Sequence, residues 1–202
     1  MEITSEPLLV VMGGSAGSIE ALQQLVQLLP ATLPISVLIV VHLRSSVPLL
    51  LPQVLQRLSH LQVVAAIDGA AIAPGHIYVA PSDRHLVVQH GRMCVVFGPK
   101  ENRFRPAIDP LFRTAAQTYG DRVIGVLLSG ALYDGIAGLY DLKAQGGMTI
   151  VQDPEEALIA FLPQHALQQV EVDYVLPVAQ IAQKLIALCQ IPVSDWRLTN
   201  VG

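Results

Sequence analysis

Cysteine is scarce in this chain: Cys94 and Cys189 are the two in 202 residues. They form no C-x-x-C pair, which excludes a disulfide framework and a thiolate metal ribbon. Both lie in apolar stretches and read as buried thiols of a reducing cytoplasm, with a functional thiol as the alternative. Charge is scarce as well. Asp, Glu, Lys and Arg make up 14% of the chain and apolar residues 52%, where about a quarter charged is usual. Intrinsic disorder is thereby excluded, since it needs low hydrophobicity and high charge. No basic run exists and the net charge is −4, so the footprint of nucleic-acid binding is missing. A mean hydropathy of +0.50 raises the question of a membrane. The longest apolar runs, Val37 to Val41 and Val123 to Leu128, fall far short of the ~20 residues of a spanning helix. The opening Met1-Glu2-Ile3-Thr4-Ser5-Glu6-Pro7 has no basic region and is not a secretory signal. A cytoplasmic protein without membrane insertion is the expectation.

What is present is an alternation of strand and helix. The apolar run Leu8 to Met12 leads into Gly13-Gly14-Ser15-Ala16-Gly17, and Ser18 reads as the N-cap of a helix over Ile19 to Leu29. Ile35 to Val41 is a second strand, Ser46 and Pro48 open a helix to about Leu58, and Gln62 to Ala65 is a weaker strand. The rhythm then breaks. Turn signals flank Ile77 to Ala80, and Leu86 to Gln89, His90-Gly91 and Met93 to Phe97 read as a hairpin. Asp109-Pro110 reads as an N-cap with proline at the first helical position. Strands follow at Val123 to Leu128, Met148 to Gln152 and Val172 to Leu176, with helices at Ala137 to Ala144, Leu158 to Val170 and Val178 to Cys189. The predicted fold is α/β: a doubly wound, mostly parallel sheet with helices on both faces and an inserted β-hairpin. The core spans about residues 8–190, and the tail 191–202 reads as loose.

Right-handed crossovers bring the carboxyl ends of parallel strands to one edge, where ligands bind. Ser15 follows the first strand, His42 the second, and Asp134 lies in Ser129-Gly130-Ala131-Leu132-Tyr133-Asp134-Gly135 after the strand ending at Leu128. A serine needs a base to become a nucleophile, and a carboxylate holds that base in the right tautomer. Gly13 to Gly17 fits G-x-S-x-G between strand and helix, and the helix behind it points N–H groups at the turn. The order Ser–His–Asp differs from the Ser–Asp–His of ordinary lipases and esterases. Plainer readings stand beside this one. The turn resembles a phosphate-binding loop, although it fails G-x-G-x-x-G and the next strand ends in His42 rather than an acid. His42 alone reads as a satisfied edge histidine and Asp134 alone as a helix N-cap.

Taken together, these segments resemble the catalytic domain of the chemotaxis receptor methylesterases, the CheB family. The resemblance runs from about Leu8 to Leu188. It is carried by Gly13 to Gly17, the His42 strand end, Asp68-Gly69, and Pro74-Gly75-His76-Ile77-Tyr78-Val79-Ala80-Pro81. Further on it is carried by Asn102-Arg103-Phe104-Arg105-Pro106, Asp109 with Leu111-Phe112, and Gly125 to Gly138. The resemblance implies a serine hydrolase that removes methyl esters from glutamates of methyl-accepting chemotaxis receptors; many members also deamidate receptor glutamines. It makes Ser15 the nucleophile, His42 the general base and acid, and Asp134 the orienting carboxylate. Backbone N–H groups near Ala16 and Ala131 would hold the oxyanion, with no metal or cofactor. Arg103 and Arg105 are candidates for substrate binding, with solvated loop charges as the alternative.

Departures from the family pattern set further expectations. Members usually carry an N-terminal receiver domain, and about seven residues precede the first strand here. The reading is one methylesterase-like catalytic domain over residues 1–202, regulated by a partner or belonging to a longer chain. Leu132 stands where T-G-M-G-x-D-G has glycine, which predicts an altered turn. Ser18 replaces a glycine, Leu43-Arg44 replaces Met-Pro, and Ala160-Phe161-Leu162-Pro163 replaces Phe-Gly-Met-Pro. These changes keep open a catalytically weak or silent partner-binding module. A nucleotide-binding domain is a third reading. The oligomeric state is not legible.

Overall fold

The structure is a computed structural model that describes residues 8–42 and 50–200, the side chains of 197–200 excepted. Nine strands are described. They are β1 (Leu8–Gly14), β2 (Ile35–Val41), β3 (Gln62–Ala65), β4 (His76–Val79), β5 (His85–Gln89), β6 (Arg92–Val96), β7 (Val123–Leu127), β8 (Met148–Gln152) and β9 (Tyr174–Leu176). Six α-helices accompany them: α1 (Ser18–Leu28), α2 (Leu51–Gln56), α3 (Ile108–Tyr119), α4 (Ile136–Ala144), α5 (Phe161–Gln169) and α6 (Val178–Leu188). Seven strands form one sheet in the order β3-β4-β2-β1-β7-β8-β9, and every pairing in it is parallel. β5 and β6 pair as a separate antiparallel hairpin.

The apolar runs become central strands because both faces of the sheet are covered. Period-two alternation divides each strand between two cores. Val10, Met12, Val37 and Ile39 face α1, α2 and α6, while Leu9, Val11, Leu38 and Val40 face α3 and its neighbours. Each such side chain contributes roughly 1.5–3 kcal/mol when buried. Reversal of strand order between β2 and β7 on either side of β1 creates a crevice at the carboxyl edge. No helix among the described residues is long and apolar enough to cross a membrane.

Several expectations are corrected. The segment between the turn signals, where the strand–helix rhythm breaks, is not outside the sheet: β4 lies inside it between β2 and β3, reached from β3 without an intervening helix. The inserted unit is therefore the β5–β6 hairpin alone, closed by His90 and Gly91 at positive φ. The tail is not loose as far as its side chains are described. Residues Val193–Asn200 form a 3-10 segment, and Trp196 is buried in the α1/α6 core with its indole N–H donating to the Leu188 carbonyl at 3.1 Å. Cys94 and Cys189 are free and half-buried rather than buried, and burial pushes the Cys189 thiol up to about 12. The helix start predicted at Ser46 and Pro48, and Leu43-Arg44, lie outside the described residues.

Candidate active site

Strand register brings the first two residues together. Gly14 pairs with Val41 across β1 and β2, so the next residues, Ser15 and His42, leave the sheet side by side. The His42 N–H donates to the Gly14 carbonyl at 3.3 Å, and the Ser15 N–H donates to the Ser129 carbonyl beyond β7 at 2.9 Å. The turn after Ser15 is tight. Gly17 has φ +79°, and a Cβ there would come within 2.7 Å of both Leu158 Cβ and Ser129 Oγ. Ser18 is the first residue of α1, with Gly17 at the cap position, one place from the expected cap. Its buried hydroxyl closes the turn by donating to the Ser15 carbonyl at 2.6 Å. Ser129 Oγ donates to the Ala16 carbonyl at 2.8 Å, which fixes the orientation of the peptide after Ala16.

Ser15 Oγ lies 3.1 Å from His42 Nδ1, and His42 Nε2 lies 2.6 Å from Asp134 Oδ2. The His42 side chain is 5% exposed and that of Asp134 0%. A carboxylate accepts, so Nε2 carries the proton and Nδ1 is left to accept from serine. Asp134 also accepts from the N–H groups of Ile108 at 2.6 Å and Asp109 at 3.3 Å. Those are orphan donors of the first turn of α3, so the carboxylate sits at the positive end of that helix. Burial pushes the Asp134 carboxyl up. The hydrogen bonds from His42, Ile108 and Asn102, with the His42 charge, outweigh burial and hold it below the ordinary value.

Asp109 mirrors this arrangement. It is the second residue of α3, not its N-cap. Its Oδ1 accepts from Gly135 and Gly138 at 3.0 and 2.7 Å, at the start of α4. Asp134, just before α4, thus caps α3, while Asp109, inside α3, caps α4. Burial raises the Asp109 carboxyl, and the neighbouring Asp134 charge adds to the rise. Asn102 Nδ2 joins the two acids, donating to Asp109 Oδ2 and to Asp134 Oδ1 at 2.7 Å each. It stands in a two-residue turn in which Glu101 and Phe104 exchange backbone hydrogen bonds and Asn102 and Arg103 have φ of 51° and 74°. Past the turn, Phe104 stacks flat on His42, with ring centroids 3.5 Å apart and planes 5° apart.

Sequence reasoning assigns no role to Asn102, Phe104 or Ser129. Asn102 suits a left-handed turn, but Arg103 at its second position does not mark the one that aims the first two. Arg103, with Asn102, Leu132, Tyr133 and Asp134, lines a cavity of about 270 Å³ beside the site. Arg105 is occupied elsewhere: it donates to Asp83 at 2.9 and 2.7 Å and to the Gly98 carbonyl at 2.6 Å, and it lies over the Phe97 ring. Those bonds hold the Asp83 carboxyl below its ordinary value. Among the described residues, no three His, Cys, Asp or Glu side chains form a metal-ligand set.

The family model for the CheB methylesterase matches residues 10–185. The chain belongs to the CheB methylesterase family. The crystal structure of the Thermotoga maritima CheB methylesterase catalytic domain superposes with a TM-score of 0.85 at 33% identity, covering 90% of this chain and 98% of that one. A Hydrogenovibrio crunogenus protein named protein-glutamate methylesterase/protein-glutamine glutaminase is 37% identical over 89% of this chain and 48% of its own length. A Photorhabdus laumondii protein of the same name is 35% identical over 92% of this chain and 54% of its own. The chain thus spans about half the length of these two curated relatives, and it covers 94% of a Leptospira interrogans relative at 37% identity. Leu132, where the family pattern has glycine, is not at positive φ. The described non-glycine residues at positive φ are Asp83, His90, Asn102 and Arg103. Phe161, in place of glycine, stacks on His165 at 4.0 Å and meets the edge of Tyr133 at 5.1 Å.

Proposed function

We propose that this chain is a protein-glutamate methylesterase acting in the cytoplasm on methyl-accepting receptors, with Ser15 as nucleophile, His42 as general base and acid, and Asp134 as orienting carboxylate. The observation that carries it is the unbroken hydrogen-bond chain Ser15–His42–Asp134, at 3.1 and 2.6 Å. Nδ1 of His42 takes the serine proton as Oγ attacks the ester carbonyl. Asp134 stabilises the imidazolium so formed. The oxyanion is held by the Ala16 N–H, at the positive end of α1, and by the N–H of Ala131. Methanol leaves with the proton from Nδ1, and water, activated by the same nitrogen, releases glutamate and free Ser15. A receptor glutamine follows the same course with ammonia as the leaving group, in keeping with the glutaminase half of the relatives' name.

The reading of a silent partner-binding module rests on Leu132 and Phe161. Leu132 adds no left-handed strain to its loop, and activity decides between the two readings. The deciding experiment is methanol release from a methylated receptor cytoplasmic domain. Ser15→Ala is expected to lower it at least ~10³-fold. Equal release by the variant and the parent protein removes the proposal.

A further inference from the structure

Large apolar side chains left in water gather around the serine. Leu132, Tyr133 and Leu158 are 40%, 52% and 69% exposed. Leu158 flanks the nucleophile turn, its Cβ 2.7 Å from where a Cβ on Gly17 would stand. Its segment is pinned there, because the Ile159 N–H donates to Ser129 Oγ at 2.9 Å and the Gly130 N–H donates to the Ile159 carbonyl at 3.1 Å. Leu132 and Tyr133 lie on the loop between Gly130 and Asp134. A Cβ on Gly130 would lie 3.2 Å from Ser15 Cβ and 2.7 Å from Leu162 Cδ2, so this loop, the serine and the start of α5 are in contact. Phe161 and His165 hold Tyr133 in place by edge-on contacts of 5.1 and 5.0 Å. Exposed apolar groups so grouped mark an interaction surface rather than ordinary scatter.

The methylesterase reading says what sits there. A glutamate ester that reaches Ser15 brings its polypeptide with it, and the residues beside that glutamate must lie against the side chains that flank the serine. Those are apolar: Leu158 beside Gly17, and Leu132 and Tyr133, which with Asn102, Arg103 and Asp134 also line a cavity of about 270 Å³. We propose that Leu132, Tyr133 and Leu158, backed by Phe161, form a docking rim for apolar side chains that flank the esterified glutamate on a polypeptide substrate. The inference rests on the methylesterase reading and adds a preference about the substrate's neighbouring residues.

Two synthetic peptides test it, each with one glutamate γ-methyl ester, flanked by leucines in one and by serines in the other. The full chain is expected to favour the leucine peptide at least ~10-fold in kcat/KM, the scale of one buried apolar group. The double variant Leu132→Ser/Leu158→Ser is expected to lose most of that ratio. Both positions are exposed, and circular dichroism checks the fold. Equal rates on the two peptides, or a ratio that survives the double variant, overturns the rim. Should the parent protein hydrolyse neither peptide nor a small glutamyl methyl ester, the methylesterase reading fails separately. Calorimetric binding of the two peptides then decides the rim: tighter binding of the leucine peptide, lost in the double variant, upholds it, and equal or absent binding overturns it.

Discussion

Ser15 and His42 hang on the ends of neighbouring parallel strands, whereas Asp134 hangs between two helix N-termini. The first pair is placed by register: Gly14 beside Val41 puts the next two side chains together whatever the loops do. The acid is placed by an exchange of caps between α3 and α4, tied by Asn102. A sheet-placed pair draws on the whole core for its position. The exchanged caps draw on a handful of hydrogen bonds among buried polar groups, where one missing partner leaves others unsatisfied. The acid side is therefore the region where single substitutions should act on chemistry and stability together.

The largest effect is expected at the acid itself. In Asp134→Asn the amide NH2 must stand either at Oδ2, where it meets His42 Nε2 and the Ile108 N–H, or at Oδ1, where it meets the Asn102 amide and the Asp109 N–H, so one set of bonds is lost whichever way it turns. Turnover should fall ~10³–10⁴-fold, and the denaturant midpoint should fall with it. A loss of activity at unchanged stability would mean that α3 does not depend on this carboxylate. Asn102→Ala comes next. It removes two charge-assisted bonds, each worth about 1.5–3 kcal/mol, but leaves the triad atoms in place. A ~10–100-fold fall in kcat, with KM little changed, is expected from steady-state kinetics.

Asp109→Asn separates the two acids. The amide introduced by that substitution would keep one oxygen for Gly135 and Gly138 but set its NH2 against that of Asn102, costing about 1–3 kcal/mol of stability by urea denaturation. The two acids also have opposite pH signs. Asp109 is held above its ordinary value, first by burial, so its ionisation penalises the fold at neutral pH, and the penalty is relieved as pH falls through that raised value. Asp134 is held below its ordinary value, so its contribution stands above the unfolded carboxylate range and is lost as pH falls through its lowered value. Melting temperature followed from neutral toward acid pH should show the Asp109 relief in the parent protein and lack it in Asp109→Asn.

The same contrast governs what is legible from sequence. Long apolar runs, turn residues and strand ends announce the sheet, and so they announce Ser15 and His42. Asp134 is legible by its place after a strand; as a cap it serves not the helix that follows it but α3, through the N–H groups of Ile108 and Asp109, while the same carboxylate bonds His42. Asp109 looks like a local cap because Asp-Pro usually is one; the bonds it makes go to the start of another helix, α4, which no local pattern encodes. Asn102 and Phe104 depend on a left-handed turn through Arg103, a residue that does not announce such a turn. At the other end of the chain, polar neighbours and Pro192 suggest a loose tail, and the burial of one indole, Trp196, decides otherwise.

Phe104 gives the finest test of the comparison, because it links the two regions by touching the strand-placed base from the acid-side loop. Its ring covers one face of His42 at 3.5 Å, in a site where the imidazole is 5% exposed. In the proposed reaction His42 takes the serine proton and becomes a cation under an aromatic face, an attraction worth about 0.5–1 kcal/mol or more once desolvated. The same contact fixes the plane of the ring, so that Nδ1 and Nε2 both point at their partners. Phe104→Leu keeps an apolar group over the ring but removes the π face. It should lower kcat about 2–10-fold with KM nearly unchanged, and Phe104→Tyr, which keeps the face, should restore it. If the leucine variant matches the parent protein while alanine does not, the ring acts by filling space, and the base owes its orientation to the strand end and Asp134 alone.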